Sequence, residues 1–331
     1  MNKTQKWILW AVLLTILALY PIVFGIYYSN VFVTFAIFAL FAVTLNLLLG
    51  YTGLLSFGHA MFFGTGGYGT AIALEHIEGL PLLPAVLIGV LAAVALALIL
   101  CPIMVRVSGT AFAMLHLAFG QLMYVLALKL RVITGGEDGV GGFPIPPFSI
   151  PGILSIDMTN PLNFYYFAIA VLGLSIWFIW YFTKTPLGSV MVSVRDNDNR
   201  VAYMGFMVPQ TKAIIYVLAA AFAGVAGSIY ALFQNLIAAG DGFHILVSFA
   251  PIMMVMVGGI GSFFGPIMGA AIFGIIEELT SRYTERVELV MGLILILVIM
   301  FAPLGFLGFL RYIKERWFGK RPDMTTTEDV A

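Results

Sequence analysis

Long stretches without a charged residue constrain the fold of this chain more than any other feature. One such stretch runs from Trp7 to Tyr28, and similar runs recur along most of the chain. A helix needs about 20 apolar residues to cross a bilayer. Hydrophobic residues make up 61% of the sequence and charged residues 10%, whereas soluble domains are roughly 25% charged. The sequence therefore predicts an all-α, polytopic integral membrane protein and excludes a water-soluble fold.

The pattern of apolar runs predicts about ten transmembrane helices, within a range of eight to ten. The first run is too long for a signal-peptide core and is interpreted as a span. The two short runs around Gly258 are either spans or re-entrant segments with a broken, glycine-rich middle. The seventh span is rich in Ala and Gly, so a neighbouring helix can approach its backbone closely. The predicted spans are residues 7–28, 31–50, 54–74, 82–105, 110–128, 162–182, 213–234, 247–257, 266–276 and 289–310.

Three polar regions complete this single transmembrane domain. Residues 129–160 are rich in Gly and Pro and are predicted to form an irregular extracytoplasmic loop. Residues 184–212 form a cytosolic loop, and residues 311–331 form a cytosolic tail. With both termini in the cytosol, most of the 16 basic residues lie inside, as the positive-inside rule requires. The basic residues left outside are Lys129, Arg131, Arg282 and Arg286.

The 184–212 segment is the only long polar interruption well inside the chain that carries a compact charged cluster. It predicts a short amphipathic helix between Pro186 and Pro209, with Asp196 or Asp198 as its N-cap. Its apolar side chains recur at helical spacing at Val201, Met204 and Val208. So short a helix gains most of its order by packing against another surface. The segment therefore either docks a protein partner or is a solvated connector on the cytosolic side.

The charges that are missing from the spans also carry information. The predicted topology leaves no Asp, Glu, Lys or Arg at mid-bilayer depth, although ion-coupled transporters commonly bury such groups along their path. The chain also lacks a G-x-x-x-x-G-K-[ST] phosphate loop. If the protein moves a solute uphill, the energy must therefore come from a partner.

Other chemistries find little support in the sequence. No basic patch is large enough to track the phosphates of a nucleic acid. The four histidines share no ligand spacing and Cys101 is the only cysteine, so no metal site is expected.

Two glycine-rich breaks are the candidates for a solute path. Gly50-x-x-Gly53 and Gly258-x-x-Gly261 are each followed by a Phe-Gly pair. Backbone N–H groups at a break in a transporter helix can bind a carboxylate. The alternatives are close helix packing for the glycines and interhelical hydrogen bonds for the polar residues nearby. The candidate pathway residues are Asn46, Gly50, Gly53, Ser56, Gly58, His59, Gln121, Gly258, Gly259 and Gly261.

Four motifs, taken in order, resemble the LivM-type permeases of branched-chain amino acid ABC importers. They start at Thr44 (TLNLLLGYTGLLSFGH), Thr134 (TGGEDG), Arg195 (RDNDNR) and Gly258 (GGIGSFFGP). The resemblance extends from about residue 30 to residue 310. It implies a channel-forming subunit in a bacterial or archaeal cytoplasmic membrane, surrounded by lipid. Its partners would be a LivH-type second permease, two ATPase subunits and an extracytoplasmic binding protein. ATP and Mg²⁺ would bind to the ATPases, and this chain would carry no cofactor.

The same resemblance assigns a role to the 184–212 segment, because in that family the loop between the sixth and seventh spans docks on the ATPases. Of the wider importer pattern, an acid followed by alanines before a glycine, only Ala202 and Gly205 remain. The candidate ATPase-coupling residues are Arg195, Asp196, Asn197, Asp198, Arg200, Ala202, Gly205 and Val208.

The favoured function is a permease subunit that translocates branched-chain or related amino acids in an ATP-driven importer. The same architecture could serve urea or short amides, or an autonomous channel or facilitator for a small neutral solute. An intramembrane enzyme is disfavoured because paired carboxylates, an H-E-x-x-H motif and a G-x-S-x-G elbow are all missing from the sequence. The identity of the solute, and the choice between a homodimer and a heterodimer of permeases, stay open.

Overall fold

A computed structural model describes residues 3–150, 154–283, 286–301, 305–306 and 308. These residues are helical almost throughout, which confirms the predicted all-α class. Each predicted span contains a helix, although several helix ends differ from the prediction. The helices are α1 (Lys3–Thr52), α2 (Ala60–His76), α3 (Leu82–Met104), α4 (Gly109–Lys129), α5 (Arg131–Thr134), α6 (Pro161–Thr183), α7 (Pro186–Tyr203), α8 (Val208–Gln234), α9 (Ala239–Phe243), α10 (Ile245–Gly258), α11 (Gly265–Ser281) and α12 (Val287–Phe301).

Six stretches of the described residues are long and apolar enough to cross a membrane. The first of them contains the predicted span 31–50 and residues 17–28 of the predicted span 7–28, and the last joins α9 to α10. The predicted tail, residues 311–331, lies outside the described residues. The six stretches are Leu17–Thr52, Leu82–Met104, Gly109–Lys129, Pro161–Thr183, Val208–Gln234 and Ala239–Gly258.

Two small antiparallel sheets lie between the helices. Strand β1 (Val140–Gly141) pairs with β4 (Leu236–Ile237), and β2 (Phe148–Ile150) pairs with β3 (Leu154–Ile156). The prediction that residues 129–160 are irregular was therefore wrong in part, because α5 and three of these strands lie there. Strand pairing gives this loop the backbone hydrogen bonds that a segment packed on the bundle requires.

Helix α1 bends sharply at Gly25. The backbone there has φ 79° and ψ 177°, a conformation that favours glycine and lies outside the helical region. In a straight helix Tyr20 and Phe32 would be about 18 Å apart along the axis. Their ring centroids are only 4.9 Å apart. The two predicted opening spans thus meet at a kink at Gly25, slightly before the predicted boundary at residues 29–30.

Helices α2, α3 and α8 pack at backbone distance in the centre of the bundle. A Cβ atom placed on Gly66 of α2 would lie 2.3 Å from the carbonyl oxygen of Gly224 in α8. A Cβ atom on Gly89 of α3 would lie 2.4 Å from the carbonyl oxygen of Gly66. The prediction of close approach to the seventh span is confirmed. Large buried side chains, among them Phe41, Phe62, Phe63, Tyr165 and Tyr216, fill the surrounding core.

Helices α10 and α11 form a tight hairpin beside α1. A Cβ atom on Gly269 of α11 would lie 1.8 Å from the carbonyl oxygen of Met254 in α10. The turn between the two helices is the second glycine-rich break, residues 259–264. A hydrophobic cluster separate from the main core joins this hairpin to α1, and its buried members are Ala39, Ala42, Leu45, Ile252, Met254, Val255 and Ala270.

A polar contact ties α1 to α11 at the end of the bundle that is predicted to be extracytoplasmic. The Tyr27 hydroxyl donates a hydrogen bond to Glu278 Oε1 at 2.6 Å, and Arg282 Nη2 donates to the same oxygen at 2.7 Å. These two donors, with Tyr27 the stronger influence, hold the pKa of the Glu278 carboxyl below its usual range. This contact therefore joins α1 to the C-terminal end of α11.

We expect Gly227→Val to destabilise the protein by at least about 2 kcal/mol, because overpacking against a backbone cannot be relieved by a rotamer change. A Cβ atom on Gly227 would lie 1.8 Å from the Phe63 carbonyl oxygen, whereas one on Gly173 would meet nothing within 4 Å. Gly173→Val is therefore the matched control and should leave stability nearly unchanged. Thermal unfolding of the purified variants in detergent measures both, and equal losses of stability would contradict the packing described.

Candidate coupling and translocation site

Helix α7 is bent in the middle of the charged cluster. Asn197 has extended backbone angles (φ −163°, ψ 100°), and its Oδ1 accepts a hydrogen bond from the Arg200 backbone N–H at 2.9 Å. Asn197 is thus the N-cap of the second half of the helix, and the prediction of Asp196 or Asp198 was wrong. Both carboxylates are engaged elsewhere, since Asp196 pairs with Arg195 at 3.2 Å and Asp198 pairs with Lys212.

The end of α7 is a Schellman motif built around Gly205. The Gly205 N–H donates to the Ala202 carbonyl at 3.0 Å, and the Phe206 N–H donates to the Val201 carbonyl at 3.3 Å. Gly205 has φ 88°, in the left-handed region that favours glycine. The chain therefore reverses direction directly after the helix.

The chain reversal exposes four large apolar side chains, which we call the apolar cap: Tyr203, Met204, Phe206 and Met207. Tyr203 is 91% exposed. The predicted apolar face of Val201, Met204 and Val208 is not formed, because Val201 is buried and Val208 already belongs to α8. Pro209 likewise lies in the first turn of α8, where its missing N–H needs no partner, so the seventh span starts before the predicted residue 213.

Lys212, near the start of α8, anchors α7 to α8. Its side chain is buried, and its Nζ lies 3.4 Å from Asp198 Oδ2. Sequence reasoning did not select Lys212 as a site residue. No local spacing marks it, because the pair forms only when α7 folds back beside the first turn of α8.

Arg195 connects the same segment to the first glycine-rich break. Its Nη1 donates a hydrogen bond to the Gly50 carbonyl oxygen at 2.7 Å. That carbonyl lies in the last turn of α1, where backbone acceptors have no partner within the helix. A cation at this position also interacts favourably with the negative end of the helix dipole.

Asn46 joins the first break to the second. Its Nδ2 donates to the Ser262 carbonyl at 3.0 Å, and its Oδ1 accepts from the Gly261 N–H at 3.3 Å. A Cβ atom on Gly50 would lie 2.1 Å from Asn46 Oδ1, so a larger residue at 50 would displace this amide. We call the contact among Arg195, Asn46 and the two breaks the junction.

The structure thus separates the candidate pathway residues into groups. Asn46, Gly50, Gly53 and Gly261 contact one another or Arg195 at the junction, whereas Gly258 ends α10 and Gly259 begins the adjoining turn. Ser56, Gly58 and His59 lie in the non-helical stretch that precedes α2. Gln121 lies apart from both groups, partly exposed in α4.

A buried polar network holds the stretch that precedes α2. His116 of α4 is hydrogen-bonded through Nδ1 to the Ser56 hydroxyl, and its Nε2 lies 3.0 Å from the Tyr216 hydroxyl of α8. His59 Nε2 lies 3.0 Å from the Thr44 hydroxyl of α1. The Ala60 N–H, at the start of α2, donates to the Ser248 hydroxyl of α10 at 3.0 Å.

The members of this network are buried, and aromatic rings cover the two histidines. Phe41 stacks on His59 and Phe112 stacks on His116, with centroids 5.4 Å and 5.3 Å apart. The polar groups of Ser56 and His116 therefore form hydrogen bonds that join different segments of the chain. His59 Nδ1 has no hydrogen-bond partner among the described residues.

Comparison with known proteins gives a consistent family result. The family model described as "Branched-chain amino acid transport system / permease component" matches residues 27–302. The high-affinity branched-chain amino acid transport system permease protein LivM of Escherichia coli (strain K12) is 28% identical over 293 residues, covering 83% of this chain and 68% of the relative. A probable LivM of Methanocaldococcus jannaschii is 25% identical over 297 residues, covering 80% and 84%. LivH of E. coli (strain K12) is 32% identical over 142 residues, covering 42% and 44%. No solved structure matches the chain.

We expect Tyr216→Phe to destabilise the protein by about 1–3 kcal/mol, because it leaves a buried His116 nitrogen without its partner. Tyr181→Phe is the control, since Tyr181 is 59% exposed and no hydrogen bond of its hydroxyl is found in the described structure. Thermal unfolding in detergent distinguishes the two variants. A Tyr216→Phe protein as stable as Tyr181→Phe would show that the network contributes nothing to stability.

Proposed function

Because the chain belongs to the family of branched-chain amino acid transport system permease components, we propose that it is the membrane-spanning permease subunit of an ATP-driven importer for branched-chain amino acids. The chain is a multi-pass membrane protein and a permease component, not itself an enzyme. A second permease of the LivH type, two ATPase subunits and an extracytoplasmic binding protein would complete the importer. ATP and Mg²⁺ would bind to the ATPases.

The apolar cap is the observation that carries this proposal. Four large apolar side chains exposed together on a polar segment outside the predicted spans favour a protein partner. The segment is also rigidly held, by the Schellman motif at Gly205, by the Lys212–Asp198 pair and by Arg195. A preformed surface loses little conformational entropy on binding, which favours tight docking of an ATPase.

The orientation in the membrane is part of the proposal. We place the 184–212 segment and both termini in the cytosol, because this arrangement keeps most of the Lys and Arg residues inside. Arg195, Gly50 and Gly261 meet at one end of the bundle, as a shared cytosolic side requires. The membrane would be the cytoplasmic membrane of a bacterium or archaeon.

The pathway assignment is also a proposal. In this conformation the polar groups of Asn46 and Ser56 are occupied by hydrogen bonds within the chain. A solute route past the two breaks would therefore open only when these bonds rearrange. A closed passage of this kind is expected of a permease that opens only when ATP binds to its partner subunits. The binding protein would select the cargo, so valine, leucine, isoleucine, amides and urea are best compared with the complete importer.

We expect the double variant Tyr203→Asp/Phe206→Asp to weaken binding of the partner ATPases by about tenfold or more, because charged groups replace the apolar contacts at the docking surface. Both side chains are exposed, so the fold should not change. Tyr283→Asp is the control, since Tyr283 is 89% exposed near the opposite end of the bundle. Co-purification and titration of the ATPases measure the effect. ATPase binding that survives the double variant would refute docking at the cap.

We expect Gly205→Val to reduce amino acid uptake in reconstituted vesicles while leaving the transmembrane bundle folded. A β-branched residue is strained at φ 88° by roughly 1–2 kcal/mol. Open space surrounds this glycine, so the effect should come from the backbone of the cap alone. Uptake and thermal stability measured on the same sample separate the two contributions. Normal uptake by Gly205→Val would mean that the chain reversal is not needed for coupling.

A further inference from the structure

Arg195 lies against the two helix breaks, with its side chain 35% exposed. A Cβ atom on Gly53 would lie 3.2 Å from Arg195 Cγ, and one on Gly261 would lie 3.2 Å from Arg195 Nη1. The side chain therefore passes between two backbones that carry no side chains at these positions. Its hydrogen bond to the Gly50 carbonyl fixes the guanidinium in place.

No described hydrogen bond joins the break at 259–264 to the 184–212 segment, but Asn46 ties this break to α1. One amide side chain holds two successive backbone groups of the turn, the Gly261 N–H and the Ser262 carbonyl. The side chain lies one helical turn before Gly50, the residue that Arg195 holds. A displacement of Arg195 therefore reaches both breaks through one short chain of contacts.

Arg195 is not needed merely to attach the segment to the bundle. The buried Lys212, paired with Asp198, already attaches the same segment to α8. The two contacts have different targets, since Lys212 belongs to a packed helix and Arg195 reaches the non-helical turns. A substitution of Arg195 can therefore remove the contact with the turns while the Lys212–Asp198 pair still holds the segment on the bundle.

We propose that Arg195 is a positioning residue that transmits movement of the 184–212 segment to the two glycine-rich breaks, with Asn46 making the two breaks move together. The inference rests on the proposed function, in which ATPases grip this segment. It adds the route by which their action reaches the membrane part. Transmission through a charge-assisted hydrogen bond is directional and short, so loss of the guanidinium should uncouple the breaks without detaching the ATPases.

The test places a reporter in the second break. Ile260 is 52% exposed between α10 and α11, and Cys101 is the only native cysteine. A spin label on Ile260→Cys in a Cys101→Ser background then reports on the turn alone. The complete importer, with second permease, ATPases and binding protein, is reconstituted in lipid discs, and the spectrum is recorded with and without ATP.

We expect the spin-labelled protein that carries no further substitution to show an ATP-dependent change in label mobility. Arg195→Gln should still bind the ATPases but lose most of this change, and transport per ATP hydrolysed should fall about tenfold, as for loss of one charge-assisted hydrogen bond. Arg195→Lys keeps a charged donor and should restore part of the response. Asn46→Ser leaves the 184–212 segment intact and should also abolish the response. Arg106→Gln removes an exposed arginine predicted to lie on the same side of the membrane and should change nothing.

The outcomes separate the two proposals. A full ATP response in Arg195→Gln, or no response at Ile260 in the otherwise unchanged protein, overturns the role of Arg195. Loss of ATPase binding in Arg195→Gln also overturns it, because Arg195 would then be a docking residue. Failure of the otherwise unchanged chain to bind any ATPase refutes the proposed function instead. If Arg195→Gln does not fold, the Asn46→Ser variant tests the same chain of contacts where it reaches the second break.

Discussion

Backbone polar groups that leave a helix inside a membrane protein must find partners within the protein, because lipid offers none. Residues 53–59 and 259–264 leave helical geometry between apolar helices. Side chains from other segments supply the missing partners. Asn46 bonds the backbone of the second stretch, Arg195 bonds the end of α1 before the first, and Ser248 bonds the N–H that starts α2. Polar side chains from α1, α7 and α10 therefore stabilise the irregular backbone.

Close packing makes these partners reachable. Helices α2, α3 and α8 approach through glycines, and the Ser228 hydroxyl of α8 donates a hydrogen bond to the Gly66 carbonyl oxygen of α2 at 3.1 Å. The Tyr216 hydroxyl of α8 also lies within hydrogen-bond distance of His116 in α4, and Phe62 and Phe112 pack against the same imidazole. Tight packing and hydrogen bonding thus support one another, since each requires the other to be well placed.

The apolar runs and the family motifs predicted the class of fold and a helix in each predicted span, but not the short helices α5 and α9. They did not predict which residues meet. The N-cap was misassigned because three adjacent residues, Asp196, Asn197 and Asp198, have similar capping preferences, and the tertiary partners of the two aspartates decided the choice. Lys212 was missed because its partner lies on another helix. Local sequence patterns do not encode such distant contacts.

The part of α1 that follows the bend at Gly25 is attached to the α10–α11 hairpin near both of its ends. Tyr27 bonds Glu278 at one end of this part, and Asn46 bonds Gly261 and Ser262 near the other. These points lie about 28 Å apart along the helix. A rod fastened to its neighbour at two distant points cannot pivot about either of them. Any rearrangement that tilts this part of α1 must therefore move the α10–α11 hairpin with it as one rigid body.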